Sequence, residues 1–581
     1  MEPSPDVSVT SPSAFIADSE SRLLDLTVHA NRADWVYQTY ITEDTETLST
    51  QAYARLMTAI TQLAQYSLRF PSEALSGIEA RKLRLLRLSL PLVAPEDPRI
   101  AEELARRVSA MSGAYAKGRY TPRGQAEPLD LQALSRILEQ SQDPRVLEDV
   151  WTGWHRVGRA IRPEFVPYVE LANRGARELG FADLGAMWRS KYDMGPDDFA
   201  REGDRLWLAV RPLYRSLHAF VRRRLAERYG PEWVPASGAI PAFLLGNMWA
   251  QSWEGIYPLL TGSLPTATYD LTRLLRERNT TPLELVRYGE RFFGSLGFEP
   301  LPSTFWERSM FVRPPGREVV CHASAWDVDC ALDLRLKMCL EITAEDFMTV
   351  HHELGHSYYQ RAYSGQPFLF RDSAHDGFHE AVGDTVALSI TPEYLARIGL
   401  LAEVPGPEGE IALLLRRALE KVAFLPFGFV VDRWRWRVFA GDVGPSEYNR
   451  TWWEMRRDYQ GIAPPPGRGE EEFDPGAKYH VPANTPYMRY FLAHILQFQF
   501  HRALVRTAGI DGPLHRASIY GSRAAGDRLR ATLELGASRE WPDALEAMTG
   551  DRRMEADALL EYFAPLQRWL DEQNRGAPVG W

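Results

Sequence analysis

A mainly α-helical protein is expected from this sequence on three grounds: long stretches of helical apolar periodicity, breaks marked by Pro and Gly, and one short region of strand character. Leu131, Leu134, Ile137 and Leu138 form one apolar stripe, and the segments around 50–70, 100–115 and 203–228 repeat the pattern. The breaks at Pro314-Pro315-Gly316, Pro405-Gly406-Pro407 and Pro464-Pro465-Pro466-Gly467 read as loops within one body rather than linkers between domains. Clusters such as Trp434-Arg435-Trp436-Arg437 and Trp452-Trp453 read as core or Arg-stacking positions.

The strand-like exception runs from Glu318 to Val328 and from Asp333 to Leu340, joined by a short turn, and predicts an antiparallel hairpin. A turn centred on Cys330 places Cys321 across from Cys339, at a separation that suits a disulfide. The other reading is three buried reduced thiols, the default in a reducing compartment. Both are open on sequence alone, and Cys330 is left over in either.

Bulk properties narrow the function. The 581 residues are 45% apolar and 25% charged, as in an ordinary folded protein. A formal charge of -10, with basic residues dispersed among acidic ones, lacks the clustered basic face that nucleic acid requires, so no nucleic-acid partner is expected. No apolar run approaches the roughly 18–20 residues of a membrane span. The stretch Met1 to Phe15 has neither the basic start nor the apolar run of a signal peptide, which on its face reads as cytoplasmic. A secreted or periplasmic chain whose export signal was trimmed is the alternative, and the candidate disulfide suits it. A monomer is expected.

The segment from Val350 to His356 contains HExxH. Four-residue spacing on a helix puts His352 and His356 on one face, where both can hold a single Zn²⁺ while Glu353 reaches its water. Phe347, Val350 and Leu354 provide an apolar face to pin that helix, and His351 reads as a packing residue. A catalytic zinc needs a third protein ligand. A second helical pattern, with Asp376 as its N-cap, offers Glu380 as that ligand and Asp384, one turn further on, to accept the free N–H of a ligand histidine. A solvated acidic face is the plain alternative for these two carboxylates.

Several motifs together resemble the peptidyl-dipeptidase A family of zinc metallopeptidases, the angiotensin-converting enzyme family. They are Gly246-Asn247-Met248-Trp249-Ala250-Gln251, the run from Val320 to Asp327, the HHELGH block, Gly377-Phe378-His379-Glu380-Ala381, the run from Phe473 to Lys478, Pro486-Tyr487-Met488-Arg489-Tyr490, and the run from Gln497 to His501. The resemblance covers nearly the whole chain and is weakest before about residue 30. It implies a gluzincin-type HExxH helix in an elongated helical body with a deep central groove and a small antiparallel hairpin at the active site. One domain over 1–581 follows, with lid helices over about 1–120 and a groove-forming body over about 121–581.

The resemblance also implies roles. Glu353 is the general base and later acid, and Tyr490 donates to the oxyanion. His322 and His480 bind the carbonyl beside the scissile bond, and the Ala323 backbone pairs with substrate as an added strand. Gln251, Lys478 and Tyr487 grip the free C-terminal carboxylate of an oligopeptide, and two extended residues reach only about 7 Å, so a dipeptide leaves. Thr485 as N-cap with Pro486 at N1 would start the helix that aligns Tyr487 with Tyr490. Chloride is implied beside Tyr192 and Arg489. At a second chloride site Trp452 and Arg456 are present, but His155 stands where the family often has arginine. Val505 and Ala517 occupy positions near a further family disulfide, leaving only the Cys321–Cys339 pair. Two other readings remain: a single-residue metallocarboxypeptidase, disfavoured by Gln251 and Ala323, and a non-catalytic peptide-binding relative.

Overall fold

Several helix starts in this chain carry side chains that satisfy the orphan N–H groups of a first turn. Ser11 caps the helix Pro12–Thr39, Thr42 closes a capping box on Glu43–Ser67, and Asp97 caps Pro98–Ala116. The computed structural model, which describes residues 11–71, 75–262 and 269–581, is built almost wholly of such helices with two small two-stranded sheets among the described residues. The expected helices are present as Glu43–Ser67, Pro98–Ala116, Leu131–Gln140 and Pro196–Tyr229. The helix Glu410–Ala440 is buried through its middle, with Leu415, Val422, Phe427, Val431 and Trp434 inaccessible, as expected of a helix at the centre of a core, while Arg416 and Arg437 nearer its ends are exposed.

Two apolar cores form. The larger runs from Ala64 to Leu570. The smaller joins Phe15, Ile16, Leu23, Leu56, Leu63, Leu83 and Leu86, with Phe368 and Leu369 of the main body packed against it. The helix Pro98–Ala116 places Leu104 and Met111 in the larger core, so the separately packed N-terminal helices end near Leu86. They reach over the hairpin: the Val320 N–H donates to the Gln38 carbonyl at 2.8 Å and the Ile41 N–H to that of Glu318 at 2.9 Å. Trp35 meets Trp326 edge-on at 5.5 Å.

The hairpin is shorter than the sequence suggests. Its strands are Ser324–Asp327 and Leu334–Lys337, pairing Ser324 with Lys337 and Asp327 with Leu334. This register is one residue off the one that would set Cys321 opposite Cys339. The outer parts bond elsewhere: Val320 to the N-terminal helix, and Met338 and Leu340 to the carbonyls of Met310 and Phe311. The disulfide Cys321–Cys339 nonetheless forms beyond the ladder, across a Cα separation of 5.0 Å, and Cys330 is a buried free thiol in the turn. Its backbone has φ 55, the left-handed conformation that a tight turn imposes. Among the described residues no helix is long and apolar enough to cross a membrane.

One helix crossing positions the site. Ala344–Tyr363, carrying HExxH, packs against Asp376–Leu388 with Gly355 facing Gly383. A Cβ on Gly355 would lie 2.8 Å from the Gly383 Cα, and one on Gly383 would lie 2.8 Å from the His352 Nδ1. Only glycine permits this approach, and the approach brings the carboxylates of the second helix to the histidines of the first.

Candidate active site

Thr343 caps the HExxH helix by accepting from the Asp346 N–H at 3.1 Å, and Phe347, Val350 and Leu354 are inaccessible, as the periodicity predicts. His351 packs with them: Nδ1 bonds the Phe347 carbonyl at 2.7 Å and Nε2 the Tyr394 hydroxyl at 2.9 Å. Burial lowers its pKa to about 4, so it stays neutral. The opposite face is left to His352, Glu353 and His356.

The second helix starts one residue earlier than expected, with His375 rather than Asp376 as N-cap; the His375 Nδ1 accepts from the Gly377 N–H at 3.1 Å. Asp376 does not cap because its carboxylate faces the Arg489 guanidinium at 3.0 Å. Glu380 comes to 3.7 Å from the His352 Nε2, and the ligand atoms of His352, His356 and Glu380 lie within 4.8 Å of one another. These three could hold one metal ion. The set of two imidazoles and one carboxylate matches catalytic zinc sites that leave a coordination position open.

Asp384 sets the first imidazole by accepting from the His352 Nδ1 at 3.2 Å, which directs Nε2 toward Glu380. The Lys421 ammonium, 3.3 Å from both of its oxygens, and the Gln497 amide at 3.0 Å complete its surroundings. Burial alone would raise this carboxyl, but Lys421 and His352 outweigh it and hold it well below the usual range. His379 sets the second imidazole, Nδ1 to Nδ1 at 3.0 Å from His356, and its own Nε2 lies 3.3 Å from the Tyr363 hydroxyl. Asp384→Ala is expected to weaken zinc binding by about 10- to 100-fold, measured by competition against a chromogenic chelator.

A second cluster is built around Lys478, which is only 6% exposed. Its ammonium donates to the Gln251 Oε1 at 2.7 Å, and the Tyr487 hydroxyl donates to the same oxygen at 3.2 Å. Trp249 lies under the ammonium at 4.1 Å from the ring centre. Burial lowers the Lys478 pKa to about 7. The sequence-predicted grip residues are thus together in one apolar-walled pocket.

From the grip cluster an aromatic path runs through Tyr487 to Tyr490, whose phenol feels the charge of Glu380. Tyr487 meets Tyr490 at 4.9 Å and His480 at 4.6 Å, and His480 meets Tyr490 at 5.7 Å. Burial raises the Tyr490 pKa, and Glu380 adds to the rise, so the phenol keeps its proton. The His480 Nδ1 is buried with no protein hydrogen-bond partner among the described residues.

The helix Met488–Thr507 has Tyr487, not Thr485, at its N-cap position. Its first N–H groups are satisfied from another element: Asp432 accepts from the N–H of Tyr487 and of Met488, each at 2.7 Å. Asp432 also pairs with Arg435, which donates to the carbonyls of His480 at 2.8 Å and Thr485 at 2.7 Å. A buried ion pair from one helix therefore shapes the loop from His480 to Tyr487.

At the hairpin, the Lys337 ammonium donates to the carbonyls of Val320 at 2.9 Å and His322 at 2.6 Å, holding the segment that ends in Ala323. Lys337 is buried, which lowers its pKa to about 8, and Glu353 is the carboxylate that opposes the fall most. Glu353 and the His322 segment thus share one neighbour.

Tyr192 stacks on Phe199 at 4.0 Å beside Asp376 and Arg489. Trp452 and Arg456 are together, with the guanidinium 5.3 Å from the Trp452 ring, but Arg456 donates to the Trp249 carbonyl at 2.6 Å. His155 stacks on Trp151 at 3.6 Å.

Sequence reasoning missed Lys421, Gln497, His379, Asp432, Trp249 and Lys337. Asp432 had a signal, an acid that closes the apolar run from Val422 to Val431. Gln497 opens a family motif but nothing local joins it to Asp384, and Lys421 had no signal at all, because Asp384 is remote from both in sequence.

A family model described as angiotensin-converting enzyme, peptidase M2, matches residues 8–581. Angiotensin-converting enzyme of Bos taurus is 47% identical over 454 residues, covering 77% of this chain and 35% of that protein. The Mus musculus enzyme is 40% identical over 566 residues, covering 94% of this chain and 42% of its own length. That of the leech Theromyzon tessulatum is 44% identical over 456 residues, covering 78% of this chain and 74% of its own. The chain thus spans less than half the length of the bovine and mouse enzymes it matches. With a matching family model over almost every residue, and with the HExxH pair and its carboxylate partner brought together by the fold, this chain belongs to the peptidase M2, or angiotensin-converting enzyme, family.

Proposed function

We propose that this chain is a zinc-dependent dipeptidyl carboxypeptidase that cleaves the penultimate peptide bond of oligopeptides with a free C-terminus. The observation that carries this reading is the buried Lys478–Gln251–Tyr487 cluster, linked through Tyr487 and Tyr490 to Glu380, which lies with His352 and His356 in the metal-ligand group. Held by those three residues, zinc would supply a Lewis acid and lower the pKa of water to about 7.

The chain's own residues do the rest. Glu353 accepts the proton of the attacking water and passes it to the leaving amine. Tyr490, kept protonated by burial, donates to the developing oxyanion. His480 presents an unpartnered ring nitrogen suited to the adjacent substrate carbonyl, together with His322. The Ala323 backbone takes the peptide as an extra strand, anchored by Lys337.

Lys478 chooses the bond. In the free protein its ammonium and the Tyr487 hydroxyl both rest on the Gln251 oxygen, and a substrate carboxylate would draw both donors to itself. Two extended residues from that anchor span about 7 Å, so the second amide from the end is presented for hydrolysis. The N-terminal helices over the hairpin would serve as a lid that excludes water and bulky chains.

Mass spectrometry of the first product from a peptide panel tests the assignment. Release of C-terminal dipeptides, abolished by chelation and restored by zinc, is the expected result. Release of single residues would move the chain to the carboxypeptidase reading, and no turnover at any zinc concentration to the binding-protein reading.

A further inference from the structure

Arg489 immediately precedes Tyr490, and only 25% of its side chain is exposed. A guanidinium does not shed its proton, so one held this deeply beside a reacting phenol requires a counter-anion. The protein supplies one covalently. Asp376, itself 11% exposed, lies 3.0 Å from the Arg489 guanidinium, and Tyr192 approaches the same carboxylate.

The pair joins two functional elements. Asp376 opens the helix Asp376–Leu388, where a negative charge also complements the helix start, and that helix carries Glu380. Arg489 lies in the first turn of the helix Met488–Thr507, which carries Tyr490. One ion pair thus ties the start of the helix bearing a metal-ligand candidate to the start of the helix bearing the phenol. Lys191 and His375 also face Asp376, while Asp432, the other nearby carboxylate, is engaged by Arg435. A cavity of about 300 Å³ adjoins the pair, lined by Lys191, Tyr192, Asp376 and Arg489 among others, so an ion from solution has room to reach Arg489.

We propose that Asp376 is a positioning residue for Tyr490: acting through Arg489 as a tethered counter-anion, it lets this site work without a dissolved halide. A carboxylate fixed in place has an effective concentration at Arg489 that chloride at roughly 0.15 M does not match. The chloride that the resemblance implies at Tyr192 and Arg489 is, on this account, replaced by a side chain. The proposal rests on the peptidase reading for its kinetic arm and on structure alone for its thermal arm.

The test compares chloride with gluconate at constant ionic strength. Wild type is expected to change kcat/KM by less than about 2-fold between the two. Asp376→Ala and the closer-shaped Asp376→Asn are expected to lose about 10-fold or more in kcat in gluconate, with KM less affected, and to regain most of it in chloride or formate. Chloride should raise the Tm of both variants and leave that of wild type unchanged, a readout that needs no turnover. Asp376→Glu should stay indifferent to chloride. Strong chloride activation of wild type overturns the proposal. So do variants equally impaired in both salts with no chloride-specific Tm shift, and variants with full activity in gluconate. Absence of dipeptide release by wild type in any salt would instead remove the peptidase reading, and the thermal comparison would still decide the role of Asp376.

Discussion

Glu353→Gln is expected to lower kcat by about 10²- to 10⁴-fold while zinc stays bound. Gln keeps the shape and the hydrogen-bonding reach of Glu but cannot accept a proton, so the substitution removes proton transfer and little else. The metal-ligand candidates His352, His356 and Glu380 are untouched, and their orientation comes from Asp384 and His379, neither of which bonds Glu353. Zinc content by atomic absorption should therefore match wild type, and KM should change little because the carboxylate grip is intact. The decisive measurement pairs single-turnover rates with metal content in the same preparation. A variant that turns over at the wild-type rate with full zinc would eliminate Glu353 as the proton carrier.

Lys478→Met should raise KM, and so lower kcat/KM, by a factor that corresponds to about 2–5 kcal/mol, the cost of truncating one partner of a buried charge pair. Methionine keeps an unbranched apolar stem and removes the ammonium that lies over Trp249 and Phe427, so the surrounding walls should survive. Amidating the substrate C-terminus removes the other partner and should cost wild type a similar factor. In the variant the amide should cost little more, because the interaction is already gone; the difference between the two losses isolates the pair. Equal amide penalties in both proteins would show that the anchor lies elsewhere.

The same lysine predicts a pH dependence. Burial brings its pKa to about 7 in the free protein, and the charged form is the one that binds a carboxylate. Below pH 7 the ammonium is already present. Above it, binding must first restore a proton to a neutral amine, so kcat/KM for free-acid peptides should fall as pH rises through 7. The loss should come through KM and be absent for Lys478→Met.

Much of this site was legible in sequence because its key spacings are local. HExxH on a helix places two imidazoles on one face whatever surrounds it, and the apolar stripe of Phe347, Val350 and Leu354 already says which face is buried. Glu380 and Asp384 belong to one helical turn in the same way. The grip residues Gln251, Lys478 and Tyr487 came from resemblance, since nothing local in the chain connects positions so far apart.

Helix starts show where local reading fails. Thr485 and Asp376 have the chemistry of N-caps, yet neither caps. Asp432 reaches in from another helix to bond the N–H groups of Tyr487 and Met488, and Asp376 is drawn to Arg489, leaving His375 to cap. The hairpin repeats the lesson. Strand propensity extended to Val320 and Leu340, but their backbone groups found partners at Gln38 and Phe311, and the ladder ended early.

By itself, then, the sequence determined a helical protein and the spacing that sets His352, Glu353 and His356 on one helix, because both follow from periodicity within one element, and it offered Glu380 as a candidate third ligand. Tertiary structure alone decided the partners Lys421, Gln497, His379 and Asp376, the burial that makes Lys478 responsive near neutral pH, and the N-cap position at Tyr487. Desolvation and ion pairing depend on which surfaces meet, and those meetings, such as Gly355 on Gly383, join residues that no local pattern connects.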